Sequence, residues 1–190
     1  THDKEDKFCL ETHLKLREKF KNFTTVIAPR HINRSKQIKK LSDQFGFKTQ
    51  ILNKNELIKD EKEIIIINSF FYLNNFYKIS KSVFIGKSLL KKFEAEGGQN
   101  PIDAAMQGCK VYHGPYVYNF KEINEMLNFN KISEEVANSS ELAKKLLIDL
   151  RGPIKDPLKF TPIMNNLKQK TLDKTMSHLK NFIFDEINKT

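Results

Sequence analysis

Two cysteines in 190 residues, Cys9 and Cys109, exclude a secreted scaffold held by disulfides and point to a reducing compartment. Long apolar runs are missing too. The longest aliphatic run is the four isoleucines of 64–67, far short of the roughly 18 residues that a membrane-spanning helix needs. The opening Thr-His-Asp-Lys-Glu-Asp-Lys is charged, unlike a secretory leader. Arginine is scarce: only Arg17, Arg30, Arg34 and Arg151 occur, so 29 of the 33 basic residues are lysine. The formal net charge of +10 is therefore mostly a coat of solvated point charges. Lys, Asn, Ile and Phe are all abundant, the pattern of an A·T-rich coding bias.

What is present is enough for a core: 39% hydrophobic residues, including 15 Phe, at a length suited to one generous domain or two small ones. Short β-branched or aromatic runs predict strands at 24–28, 47–52, 63–68, 82–86 and 110–113. Amphipathic stretches predict helices at 3–22, 32–45, 100–107, 120–128 and 139–150. Gly46 and Gly108 stand just past two of these helices, where a C-cap belongs. The alternation predicts an α/β fold, a Rossmann-like open parallel sheet with helices on both faces. Gly152, Pro153, Pro157 and Pro162 interrupt regular structure, and residues 163–187 read as a terminal amphipathic helix. That gives a domain over 1–156 and a helical extension over 157–190 packed on it. Lys168, Lys170, Lys174 and Lys180 leave an interfacial, anionic-membrane use of the last helix open.

Ligands of open α/β sheets bind at the C-terminal ends of the strands. Directly after the first apolar strand stands Ala28-Pro29-Arg30-His31: either an ordinary turn with a solvated arginine or a phosphate partner, the rarity of arginine here favouring the second. Gly97-Gly98-Gln99-Asn100-Pro101-Ile102-Asp103 combines close backbone approach, a natural N-cap at Asn100 and a proline suited to the first helical turn, which predicts free N–H groups at a helix start. Asp103 would either bond back to the Asn100 amide or accept ribose hydroxyls. Gly86-Lys87-Ser88 and Gly114-Pro115 end two further strands. No Asp-x-Asp triplet occurs and the five histidines lack ligand spacing, so neither a metal nor another cofactor is expected. Cys9, beside Phe8 in a helical stripe, reads as core.

Taken in order, Thr1-His2, Pro29-Arg30-His31, Phe84-Ile85-Gly86, Gly97-Gly98-x-Asn100-Pro101-Ile102-Asp103 and Gly114-Pro115 with Asn119-Phe120 resemble the 3-deoxy-D-manno-octulosonic acid (Kdo) transferases of lipid A assembly. The resemblance covers the C-terminal, donor-binding half of these two-domain GT-B glycosyltransferases. It implies CMP-Kdo as donor, contacted by Pro29, Arg30, Gly97, Gly98, Asn100, Pro101, Ile102 and Asp103, with Arg30 at the phosphate and Asp103 at the ribose. It further implies a lipid A precursor as acceptor, reached through the N-terminal half, at the cytoplasmic face of the bacterial inner membrane. The catalytic base of the family is a Glu of that other half, so this chain is expected to bind CMP without catalysing transfer.

The chain departs from the family pattern in places. Asp103 stands where Glu is usual, Gln99 where His is, and Lys87 replaces a glycine of a Gly-Gly-Ser turn. Asn68-Ser69-Phe70-Phe71-Tyr72-Leu73 replaces Asp-Thr-Met-Gly-Glu-Leu, and no binding role is carried onto Phe70, Phe71 or Tyr72. In the family a central strand precedes the Thr-His motif, so a gap in the sheet is expected, or a replacement such as a strand exchanged within an oligomer. Three other readings stay open: a different GT-B donor domain, a basic nucleic-acid module lacking the expected aromatic-basic motif, and a structural interaction domain.

Overall fold

The computed structural model describes residues 1–69, 73–153 and 160–187. Its strands are β1 (Thr25–Ile27), β2 (Thr49–Leu52), β3 (Ile64–Ile67), β4 (Ser82–Ile85), β5 (Lys110–His113) and β6 (Ser133–Glu135). The helices are α1 (Glu5–Arg17), α2 (Ser35–Gln44), α3 (Leu73–Ile79), α4 (Ile102–Met106), α5 (Lys121–Phe129), α6 (Ser139–Arg151) and α7 (Thr161–Ile187). Every strand pairing is parallel; helices α4 and α5 make the crossovers of the second sheet, and α2 and the helix-free segment 53–63 those of the first. The strands form two sheets of three, ordered β1-β3-β2 and β4-β5-β6.

Alternation along the strands sorts the helices onto two faces. Ile64 and Ile66 of β3 pack with Leu10 of α1 and Ile38 of α2, whereas Ile65 and Ile67 pack with Phe76 of α3. In β5, Tyr112 meets Phe8 of α1 and Leu142 of α6, while Val111 meets α4, α5 and Met164 of α7. The four isoleucines of β3 are buried on both faces, each worth roughly 1.5–3 kcal/mol of transfer free energy. Helix α1 therefore touches both half-sheets, through Leu10 on one and Phe8 on the other.

Several boundaries differ from the sequence expectation. The first helix starts at Glu5 because Lys4 takes a left-handed backbone (φ 71°), and it stops at Arg17 where the chain turns toward β1. The helix expected over 100–107 shortens to α4, with Pro101 rather than Asn100 in the N-cap position. Gly46 (φ 73°) and Gly108 (φ 75°) do stand just past α2 and α4 in the left-handed conformation. Strand β6 and helix α3 were not foreseen. The first is a polar Ser-Glu-Glu edge paired only with β5; the second is a seven-residue helix with one buried residue, Phe76.

In the last helix Met164 is buried, with Phe160 and Ile163 beside it, whereas Leu172, Met176, Leu179 and Phe182 are exposed. The boundary expected at 156/157 lies outside the described residues, as do Phe70, Phe71 and Tyr72.

Candidate functional site

Between β1 and β4 runs a cavity of about 790 Å³, lined below by strand residues such as Val26 and Phe84. At its upper end, where the strands terminate, stand Pro29, Arg30, Gln99, Asn100 and Asp103. The cavity thus occupies the place where a central strand is expected, and it opens among residues that sequence reasoning singled out as a donor site.

Arg30 leaves the tip of β1 because Pro29 ends the strand. Its amide donates to the Thr1 carbonyl at 3.0 Å, and its side chain is exposed. Arg17 pairs with Glu63 at 3.1 Å and Arg34 pairs with Asp6, but the Arg30 guanidinium has no partner among the described residues. A free guanidinium at a strand tip is suited to a bidentate oxyanion.

Asn100 folds back on its own segment: its Oδ1 accepts from the Ile102 amide at 2.9 Å. One of the N–H groups expected to be free at the helix start is thereby used, and α4 is too short to build much macrodipole. The Asp103 carboxylate is exposed and makes no hydrogen bond or ion pair among the described residues, so the reciprocal cap to the Asn100 amide does not form. Pro101 is buried and Ile102 half-buried against the core around Val111.

The glycine pair serves the loop itself. A Cβ on Gly97 would stand 2.3 Å from the Tyr116 carbonyl oxygen and 2.6 Å from that of Phe93, so no other residue fits without moving backbone. Its carbonyl accepts from the Asn119 amide at 3.0 Å, and the Gly98 amide donates to the Lys87 carbonyl at 2.6 Å. The close backbone approach foreseen at Gly97 and Gly98 is thus to the protein's own chain, and it holds Gln99 to Asp103 at the mouth of the cavity.

Glu5, which the sequence alone does not mark, and residues to which it assigns no binding role complete the surroundings. Glu5, fully buried at the start of α1, accepts from the amides of His2, Lys87, Ser88 and Leu89. Gln99 Nε2 donates to His2 Nε2 at 3.0 Å, a bond that needs a neutral imidazole. Burial lowers the His2 pKa and favours that form. Lys87 carries a left-handed backbone (φ 59°), a conformation that glycine adopts without strain. Ser88 Oγ accepts from the Gly114 amide at 2.8 Å, locking the β4 turn to the β5 turn. Cys9 packs between the two core clusters that α1 joins, and burial pushes its thiol up to about 12, as befits a core residue. Among the described residues no group of His, Cys, Asp and Glu is placed to hold a metal ion, and no helix is long and apolar enough to cross a membrane.

No family model matches the chain. Over 81% of its length it is 27% identical to a 3-deoxy-D-manno-octulosonic acid transferase of Aquifex aeolicus, covering 42% of that protein. Over 67% it is 32% identical to the corresponding transferase of Haemophilus influenzae, covering 29% of that one. The chain therefore spans less than half the length of these relatives. Its fold matches the crystal structure of the C-terminal CMP-Kdo binding domain of WaaA from Acinetobacter baumannii with a TM-score of 0.75 and 18% identity, covering 89% of this chain and 86% of that one. By these likenesses the chain belongs to the 3-deoxy-D-manno-octulosonic acid transferase family, with the fold of its C-terminal domain.

Proposed function

We propose that this chain is the donor-binding part of a Kdo transferase and that CMP-Kdo sits at the C-terminal ends of β1 and β4. The observation that carries this reading is Arg30: exposed, without a partner among the described residues, and lining the same cavity mouth as Asn100 and Asp103. In it Arg30 holds the phosphate of CMP, Asp103 accepts ribose hydroxyls, and Asn100 shapes the turn between them. Pro29, Pro101 and Ile102 border the nucleotide, while Gly97 and Gly98 place the segment that contacts it. The Asp103 side chain is one methylene shorter than the Glu usual in the family, so a water bridges part of the ribose contact.

In transfer, an acceptor hydroxyl oxygen bonds to the anomeric carbon of Kdo as the bond from that carbon to the phosphate oxygen breaks. CMP leaves with the electron pair, and the hydroxyl proton passes to a base. Arg30 stabilises the departing phosphate. Glu5 and Asp6, near this end of the cavity, are engaged with backbone amides, Thr1 and Arg34, so neither is available as that base. In this reading the base and the site for a lipid A precursor belong to another part of the full enzyme, at the cytoplasmic face of the inner membrane, and lysine-rich surfaces assist at the anionic bilayer.

Calorimetric titration with CMP, UMP and UDP tests the reading. CMP is expected to bind in preference to both uridine nucleotides. A UDP preference assigns the site to another nucleotide sugar, and binding of none of the three turns the chain into an interaction domain. Transfer of Kdo to a lipid A precursor by this chain alone would overturn the division of labour.

A further inference from the structure

Gln99 and His2 meet where two separately held parts of the chain border the cavity mouth. Gln99 belongs to the loop that its two glycines clamp. There the Gly98 amide donates to the Lys87 carbonyl at 2.6 Å, and the Gly97 carbonyl accepts from the Asn119 amide at 3.0 Å. His2 is fixed independently. Its amide donates to the Glu5 carboxylate at 3.0 Å, and its carbonyl accepts from the Glu5 amide at 3.1 Å. Its ring stands edge-on to Phe93 at 5.4 Å and to His31 at 6.4 Å. The neighbouring Thr1 carbonyl accepts from the Arg30 amide, so the Gln99–His2 contact joins the Asp103 side of the mouth to the Arg30 side.

The hydrogens in this contact can be assigned. A side-chain amide nitrogen only donates, so in the 3.0 Å bond the His2 Nε2 accepts and carries no proton. A neutral imidazole then bears its hydrogen on Nδ1. The same bond settles the Gln99 amide: with Nε2 turned to His2, Oε1 lies on the opposite side of the group. Gln99 is half-exposed and lines the cavity, and its Oε1 accepts no hydrogen bond among the described residues. An uncharged acceptor with free lone pairs suits a hydroxyl. It disfavours a carboxylate or phosphate, which bring lone pairs of their own.

We infer that Gln99 is a specificity-determining residue for the sugar of the donor, its Oε1 accepting a sugar hydroxyl at the cavity mouth, and that His2 is the positioning residue that decides which end of the amide faces the ligand. The inference rests on the donor-site reading and adds a contact to the part of the donor that Arg30 and Asp103 leave unread. Kdo carries both hydroxyls and a carboxylate, so this acceptor turns a hydroxyl side of the sugar toward Gln99 and the carboxylate away from it. A site built to bond a hydroxyl discriminates against a ligand that lacks one, because its acceptor is then left unpaired. CMP alone is such a ligand.

The test has two readouts on the whole chain. Long-range proton–nitrogen correlation NMR of the imidazoles at neutral pH, with His2→Gln to identify the His2 signals, is expected to show the proton on Nδ1 and a bare Nε2. A proton on Nε2 overturns the inference, because it turns Oε1 toward His2 and the amide donor toward the cavity. The second readout is the ratio of the affinities for CMP-Kdo and CMP. The parent is expected to favour CMP-Kdo, and Gln99→Met, similar in length but without the amide, to lower the ratio about tenfold. His2→Leu frees the amide to turn and is expected to lower the ratio comparably. His2→Gln supplies an acceptor oxygen in place of Nε2 and is expected to return it to within about threefold of the parent. A ratio that does not move in Gln99→Met overturns the inference. So does a His2→Gln no better than His2→Leu, which reduces His2 to packing. Where a variant fails to fold, the tautomer in the parent decides. Absence of CMP binding by the parent overturns the donor-site reading and this inference with it, whereas CMP binding with an unmoved ratio overturns this inference alone.

Discussion

The Glu5 carboxylate accepts the Ser88 amide at 3.0 Å, tying the first turn of α1 to the turn after β4 across 83 residues of sequence. The same carboxylate takes the amides of Lys87 at 2.8 Å and His2 at 3.0 Å, so one buried charge is neutralised by backbone dipoles rather than by a cation. Such charge-assisted bonds are the strong kind. Glu5→Ala leaves these amides buried without an acceptor and is expected to cost roughly 3–5 kcal/mol, read as a lower urea midpoint at unchanged m-value. Glu5→Gln keeps one acceptor oxygen and is expected to lose less than half of that. A loss under about 1 kcal/mol for Glu5→Ala would show the turn to be held by other contacts.

Lys87 sits in that same turn with φ 59°, a conformation that costs a non-glycine residue about 1–2 kcal/mol. Lys87→Gly removes this strain but adds about 0.5–1 kcal/mol of chain entropy and loses a half-exposed pair with Glu96 at 3.5 Å. The changes nearly cancel, so its melting temperature is expected to stay within about 3 °C of the parent. Lys87→Val, β-branched at a left-handed position, is expected to melt clearly lower. Equal melting temperatures for the two variants would refute the strain argument.

The parallel character of the fold was legible in the sequence because short apolar runs alternate with amphipathic helical stretches, and the central run is apolar throughout. A run such as Ile64–Ile67 has no polar side to hide, and only a doubly covered sheet accommodates it. Strand β6 was not legible: Ser133, Glu134 and Glu135 carry no apolar pattern, and tertiary pairing to β5 alone makes them a strand. The site was legible where local rules act. Pro29 had to end β1 and Arg30 had to follow it, whereas the Gly97 requirement comes from Tyr116 and Phe93, partners that no local rule identifies. Glu5 was hidden for the same reason. In sequence it is one more acidic residue in a first helical turn, a favourable but ordinary place; its acceptor role exists only once β4 has been laid beside α1.

In the proposed reading Arg30 and Asp103 divide the nucleotide between them, and that division can be tested one residue at a time. Arg30 is exposed and has no partner among the described residues, so Arg30→Ala is expected to leave the melting temperature unchanged while weakening CMP by about 10- to 100-fold. Cytidine, which lacks the phosphate, is expected to lose little. Asp103→Ala is expected to act on the sugar instead: the parent should prefer CMP to 2′-deoxy-CMP, and the variant should bind the two alike. Equal losses for cytidine and CMP on Arg30→Ala would remove the guanidinium from the phosphate.

His13 supplies the pH dependence. Its side chain is almost fully buried, between the rings of Phe23 and Phe47, with Nδ1 2.8 Å from Thr25 Oγ1. Burial first, and the Arg17 guanidinium with it, lowers its pKa to about 4, although Glu63, 3.9 Å from Nε2, pulls the other way. The folded protein thus takes up this proton less readily than the unfolded chain, where an ordinary histidine titrates near 6.5. The stability that His13 contributes is complete above that value and is lost as the pH falls toward about 4, by up to about 3 kcal/mol. Above pH 4.5 this loss is separable from that of Glu63, whose own lowered pKa places its contribution further down the scale. His13→Asn retains a partner for Thr25 and carries no titrating proton. Urea unfolding of parent and variant at pH 7, 6, 5 and 4.5 is expected to show a falling parent and a nearly level variant, and parallel slopes would assign the acid sensitivity to other groups.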